Sequence, residues 1–84
     1  METTGDYIAE TDEYTMIINY RYYYQPPTYE RGAYTETEVK EVHLQSKDKH
    51  GVFVTTDITA FYWDFIEANL IEQIEEEAHE NLMG

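Results

Sequence analysis

The run from Tyr14 to Tyr24 constrains the fold more than any other segment of the chain. It is dense in β-branched and aromatic residues, which suit a pleated, half-buried surface. Met16, Ile18, Tyr20, Tyr22 and Tyr24 alternate with Ile17, Asn19, Arg21 and Tyr23. That period of two is the spacing of a strand, in which successive side chains point to opposite faces. The even face is continuously large and is expected on the core, whereas the odd face is mixed. Whatever the fold, a sheet containing this strand organises it.

The flanking segments read as further sheet. Residues 25–33 hold Pro26, Pro27 and Gly32 and form a loop, since two prolines interrupt a ladder. A second strand is expected over 34–46. Thr35, Thr37 and Val39 alternate with Glu36, Glu38 and Lys40, but the apolar residues then move to Val42 and Leu44. A one-residue slip turns side chains to the other face, so a bulge near Lys40 or Glu41 is needed to keep one face buried. Lys47 to Gly51 reads as a turn ending in glycine, followed by a short strand over 52–55. Residues 1–13, with Glu2, Asp6, Glu10, Asp12 and Glu13, read as a flexible acidic arm outside a domain spanning 14–84.

Beyond Asp57, a residue suited to capping, Ile58, Phe61, Tyr62, Phe65 and Ile66 follow helical spacing, and a helix over about 58–82 is expected. Its apolar stripe moves, however. Leu70, Ile71, Ile74, Ala78 and Leu82 lie about 120–240° around the wheel from Ile58, whereas the first group lies within about 80° of it. Either the helix breaks near 68–69, with Asn69 as cap and Glu72 completing a capping box, or one face docks on the sheet and the other on a partner. The expected fold is α+β, a three-stranded antiparallel β-meander covered on one face by one or two C-terminal helices.

Charge and composition bound the function. The 84 residues carry 18 acids against five bases, a formal charge of −13. Such a chain is repelled by phosphate and by anionic lipid, so neither direct nucleic-acid binding nor a membrane is expected, and a basic protein surface is its natural counterpart. At 42 % hydrophobic and 15 % aromatic residues it is too rich in core formers for a typical disordered chain. Without cysteine it has no disulfide framework, no thiolate nucleophile and no cysteine-based zinc site. Met1 to Asp6 lack the basic and apolar regions of a secretion signal, which makes a cytoplasmic setting the expectation.

The sharpest local signal is the stretch from Asp64 to Glu80. Asp64, Glu67, Glu72, Glu75, Glu76, Glu77 and Glu80 occur without one lysine or arginine among them. Like charges at i,i+4, as in Glu72/Glu76 and Glu76/Glu80, cost about 0.2–0.5 kcal/mol per pair, and carboxylates in a helix's last turns oppose its dipole. As one helix, the stretch would span about 24 Å and offer one negative charge per about 4 Å, near the ~3.4 Å spacing along a DNA strand. These residues are therefore candidates for contact with a basic partner. The alternative is a solvated face that serves solubility. Tyr23 and Tyr29, off the even face or in the loop, are candidate anchors, because tyrosine offers large contact area with a water-tolerant hydroxyl. Tyr20 and Tyr22 are expected in the core.

Catalysis and cofactors find little support. His43, His50 and His79 are dispersed, and Glu76, His79 and Glu80 on one helical face support adventitious cation binding at most. There is no nucleophile–base spacing and no glycine-rich phosphate loop. Neither an enzyme nor a cofactor is expected.

The order of a tyrosine-rich strand ending in Tyr24-Gln25-Pro26, a Pro/Gly loop, the segment Glu38 to Val42, a glycine turn, Thr56 to Thr59, and the acidic helix Ile71 to Glu77 resembles small acidic proteins of tailed bacteriophages over residues 16–78. The resemblance implies a phage origin and the cytoplasm of an infected bacterium. Together, these observations lead to the expectation of a non-enzymatic inhibitor that engages a basic, nucleic-acid-binding surface of a host protein by imitating phosphate charge. The alternative is an accessory phage protein that binds another phage protein or forms a homodimer through tyrosines and the helix residues Leu70, Ile71 and Ile74.

Overall fold

A computed structural model describes residues 1–84. The order of elements is β1 (Glu2–Glu10), β2 (Thr15–Gln25), β3 (Tyr34–Lys47), β4 (Phe53–Asp57), a 3-10 helix (Thr59–Asp64) and α1 (Ala68–Met83). The strands form one antiparallel sheet in sequence order, and the helices cover one of its faces. The fold is α+β as expected, but the sheet has four strands and not three.

The additional strand corrects the reading of residues 1–13 as a flexible arm. Glu2–Glu10 pairs with β2 from Glu2↔Tyr23 to Glu10↔Thr15. The Met1 amine donates to the Tyr24 carbonyl at 2.9 Å, and Tyr24 N–H donates to the Met1 carbonyl at 2.7 Å. Thr3, Gly5, Tyr7 and Ala9 are half-buried while the residues between them are exposed, the two-residue period of a half-buried strand. The hairpin closes through Thr11, whose hydroxyl accepts from Glu13 and Tyr14 N–H and donates to the Tyr14 carbonyl. Gly5 is needed here, because a Cβ at this position would stand 2.9 Å from the Tyr20 hydroxyl oxygen and 3.2 Å from Cζ.

The central pair β2/β3 follows the sequence pattern closely. Met16, Ile18, Tyr20 and Tyr22 are all buried. The register runs Ile18↔Val42 and Asn19↔Glu41 but then Tyr20↔Val39, so Lys40 is the extra residue of a β-bulge. That bulge lets Val42 and Val39 share the core face despite their odd separation. The expected glycine turn is also present: Gly51 has φ +78°, and Asp48 Oδ1 accepts from His50 and Val52 N–H at 2.8 and 3.0 Å. β4 begins one residue later than expected and extends to Asp57.

The helical region breaks, but earlier than 68–69. The 3-10 helix ends at Asp64, and Phe65 and Ile66 N–H both donate to the Tyr62 carbonyl at 2.9 Å. α1 starts at Ala68 with Glu67 as its N-cap residue and no side-chain cap, so the expected Asn69/Glu72 capping box is not formed. Packing sets this boundary. Turning the chain before α1 buries both Ile66 and Ile74 on the same sheet face, which one straight helix carrying two divergent stripes does not permit. Asp57 does bind the following turn, accepting from Thr59 N–H and Oγ1 at 2.9 and 2.6 Å.

The core is thin. Nine residues are buried: Met16, Ile18, Tyr20, Tyr22, Val42, Ile58, Ile66, Ile74 and Ala78. The molecule measures 59 × 25 × 17 Å with a radius of gyration of 15.3 Å, against about 12 Å for a compact chain of this length. No helix is long and apolar enough to cross a membrane.

Candidate functional site

α1 crosses the sheet held by polar contacts on both flanks. On the β1 side, the Tyr7 hydroxyl donates to Gln73 Oε1 at 3.0 Å. On the β3 side, the Thr37 hydroxyl donates to Glu75 Oε1 at 2.8 Å. Between them Ile74 and Ala78 are fully buried, and Leu70, Ile71 and Leu82 pack half-buried at the edge of the core. Of the stripe Leu70, Ile71 and Ile74, Ile74 is thus wholly used within the chain and is not available to a homodimer interface, while Leu70 and Ile71 keep part of their surface exposed.

This docking sorts the acidic residues. Glu72, Glu76, Glu77 and Glu80 are exposed on α1, and Glu72, Glu76 and Glu80 follow one another at one-turn intervals. Glu75 is instead half-buried and tied to Thr37. Asp64 closes the 3-10 helix and Glu67 precedes α1, so these two stand outside the helical array. The continuous 24 Å acidic track expected from the sequence is therefore shortened: from Glu72 to Glu80 the axis rises about 12 Å.

Ion pairing distinguishes this helix from the sheet. On the outer sheet face Arg21 is paired with Glu2 and, at 3.4 Å, with Glu38, and Lys40 stands 3.1 Å from Glu38. His43 Nε2 lies 3.9 Å from Glu41 and 3.7 Å from Asp57. These contacts are reflected in the acidities. The hydrogen bond from Arg21 lowers the Glu2 carboxyl below its ordinary range, the bond from Lys40 does the same for Glu38, and the bonds from Thr59 do so for Asp57. No carboxylate of α1 has a cationic partner within 4.0 Å. The sheet that carries Arg21, Lys40 and Lys47 also carries Glu2, Asp6, Glu10, Glu36, Glu38, Glu41 and Asp57, of which Glu2 and Glu38 are paired with Arg21 or Lys40 and Asp6, Glu10 and Glu36 are not.

The tyrosines divide similarly. Burial, followed by the nearby Glu75 charge, pushes the Tyr22 phenol up, and its hydroxyl lies 3.1 Å from His79 Nδ1. His79 stands edge-on to Tyr24 at 4.7 Å between ring centroids. Tyr23 is on the outer face, 6.2 Å from the Tyr34 ring, and Tyr29 is fully exposed in the loop after β2. Neither candidate anchor is therefore on the face that presents the α1 carboxylates. Phe61, Trp63 and Phe65 are exposed around the 3-10 helix, with Trp63 at 65 %, and the sequence reading had not singled them out as surface. The helical spacing of Phe61 and Phe65 with Ile58 and Ile66 suggests a buried face, but the chain here is a short 3-10 helix with non-helical backbone at Phe61, ending before Phe65, and both rings stand outward.

No group of three His, Asp or Glu residues stands close enough together to hold a metal ion. The one groove with an apolar lining is shallow, runs between Ala9, Tyr14, Met16, Phe65 and Leu70, and gathers no convergent titratable groups apart from Glu67. Compared with known proteins, the chain matches no family model, no curated sequence and no solved structure.

Proposed function

We propose that this chain is a non-enzymatic acidic binding protein that engages a basic protein surface through α1, acting as a phage-encoded inhibitor of a host nucleic-acid-binding protein. One observation carries the reading: Glu72, Glu76, Glu77 and Glu80 are exposed and unpaired on one helix, while Glu2 and Glu38 on the sheet are paired with Arg21 or Lys40. A helix built for its own stability would alternate these acids with lysine. Left unpaired, they set up a field that raises the encounter rate with a positive surface. The shortened array supports attraction to a basic patch more strongly than it supports imitation of a long phosphate track.

Pull-down from bacterial lysate at low and high salt tests this, using the wild type and a variant with Gln at 72, 76, 77 and 80. The reading requires a basic nucleic-acid-binding protein that is retained at low salt, released at high salt and lost by the variant. Equal capture by both proteins overturns it.

A second reading, assembly with another copy or another phage protein, is favoured by the exposed Phe61, Trp63 and Phe65 and the elongated body. Sedimentation tests its self-assembly branch, since a chain of 10.0 kDa that stays monomeric excludes pairing with another copy.

A further inference from the structure

The sheet has an open edge that the acidic helix does not explain. β4 pairs with β3 only from His43↔Asp57 to Lys47↔Phe53. There the chain turns off the edge: Ile58 N–H donates to the Val42 carbonyl at 2.9 Å, and Val42 N–H donates to Thr59 Oγ1 at 3.0 Å. The backbone of β3 is thus sealed at Val42. From Tyr34 to Lys40 the strand has β2 on one side and nothing on the other, and no backbone hydrogen bond outside the ladder with β2 reaches it. Seven residues of unpaired edge run about 23 Å, held straight by pairing with the central strand. Such a row of N–H and C=O groups is a template for another strand.

The side chains along this edge select its occupant. Tyr34, Glu36 and Glu38 lie on the outer face, opposite Gln25, Tyr23 and Arg21 respectively, and Thr35, Thr37 and Val39 lie on the helix side. A second copy is disfavoured. The antiparallel registers that keep the helices of two copies on one sheet face and overlap at least five of residues 34–40 bring a Glu36 or Glu38 opposite another glutamate, and directly opposed like charges destabilise a pair. On the helix side, the Thr37 hydroxyl donates to Glu75. Glu38 is already paired with Arg21 and Lys40, which leaves Glu36 as the outer-face carboxylate without a cation, beside a backbone that lacks a partner.

We propose that β3 accepts, along residues 34–40, an extended basic segment of a partner protein as a fifth strand. The segment places a Lys or Arg opposite Glu36 and small or β-branched residues opposite Thr35, Thr37 and Val39. Main-chain hydrogen bonds supply affinity and the cation opposite Glu36 supplies specificity. The inference rests on the reading of the partner as basic, but assigns the contact to a different surface from α1.

The probe is the capped peptide Thr-Lys-Val-Lys-Val-Lys-Thr, compared with the same peptide N-methylated at alternate amides, which keeps the charge and removes strand donors. Amide NMR and hydrogen exchange on the full chain report the site. Binding is expected to shift and protect amides among residues 34–40, and N-methylation to weaken it about tenfold, the equivalent of one or two net hydrogen bonds. Glu36→Lys is expected to weaken it about three- to fivefold, the scale of one cross-strand charge pair. Equal affinity for the two peptides overturns strand addition. So does protection confined to β1, the other edge, or protection of 34–40 that appears with protein concentration alone and marks a second copy. Shifts confined to α1 overturn it as well, but leave the acidic-helix reading standing.

Discussion

Replacing Gly5 with alanine tests whether the acidic N-terminal segment is part of the folded sheet. Gly5 lies opposite Tyr20, whose ring is 2 % exposed and enclosed by the core. The added methyl would meet the Tyr20 hydroxyl oxygen at 2.9 Å and Cζ at 3.2 Å, and a buried ring has little room to withdraw. Overpacking of this kind costs about 1–3 kcal/mol. Against it stands a gain of about 0.4–1 kcal/mol from a less flexible unfolded chain. The net expectation is a loss of about 1–2 kcal/mol, read in urea unfolding as a midpoint lowered by roughly 1 M for a domain of this size. Combining Gly5→Ala with Tyr20→Phe, which removes the closest atom, should recover part of the loss and reveal coupling between the two sites. A neutral or stabilising Gly5→Ala would refute the argument, since that is the outcome for a segment without fixed structure.

Other perturbations follow from the same geometry. Ile74→Ala removes a fully buried side chain from under α1 and should cost about 2–5 kcal/mol, leaving a marginal domain in urea titrations followed by circular dichroism. Thr37→Val breaks the tie to Glu75 and should cost about 1 kcal/mol, with Glu75→Gln tolerated better than Glu75→Ala. Glu2, Glu38 and Asp57 have lowered pKa values, so their contributions are present above the ordinary carboxylate values and are lost as pH falls through the folded ones. An acid limb should therefore appear in thermal melts below about pH 4, and Arg21→Gln should flatten it. Tyr22 is raised from its ordinary value of 10.0, so its contribution holds below that pH and is lost as pH rises above it. Tyrosinate absorbance should show one late-ionising phenol that titrates together with unfolding.

The legible parts of this fold are those whose pattern is local. The two-residue period of β2 identified Met16, Ile18, Tyr20 and Tyr22 as core, and the phase slip between Val39 and Val42 located the bulge that Lys40 forms. β1 was obscured because Glu2, Asp6, Glu10, Asp12 and Glu13 mark an acidic tail by composition, while three of its four inward residues, Thr3, Gly5 and Ala9, are small and only Tyr7 is large. At Gly5 the reason is that Tyr20 already fills the space, a tertiary fact with no local signature. The two stripes left a helix break near 68–69 as one of two possibilities, and its position depends on Ile66 reaching the sheet, which puts it in the residues before Ala68. Among the candidate site residues, Glu72, Glu76, Glu77 and Glu80 stand together, and Glu75 is diverted by Thr37, a residue far away in sequence. The unpaired state of the helix carboxylates was not legible, because pairing on the sheet depends on cross-strand register.

The central claim is that the unpaired carboxylates of α1 drive association with a basic protein surface. Its most direct test is the association rate of the partner captured from lysate, measured across a salt series for the wild type and for the variant with Gln at 72, 76, 77 and 80. The account predicts a wild-type rate that falls steeply with salt and a variant rate that is lower at low salt, with the two curves converging as salt screens the charges. Parallel curves, with the variant as fast and as salt-sensitive as the wild type, would contradict it.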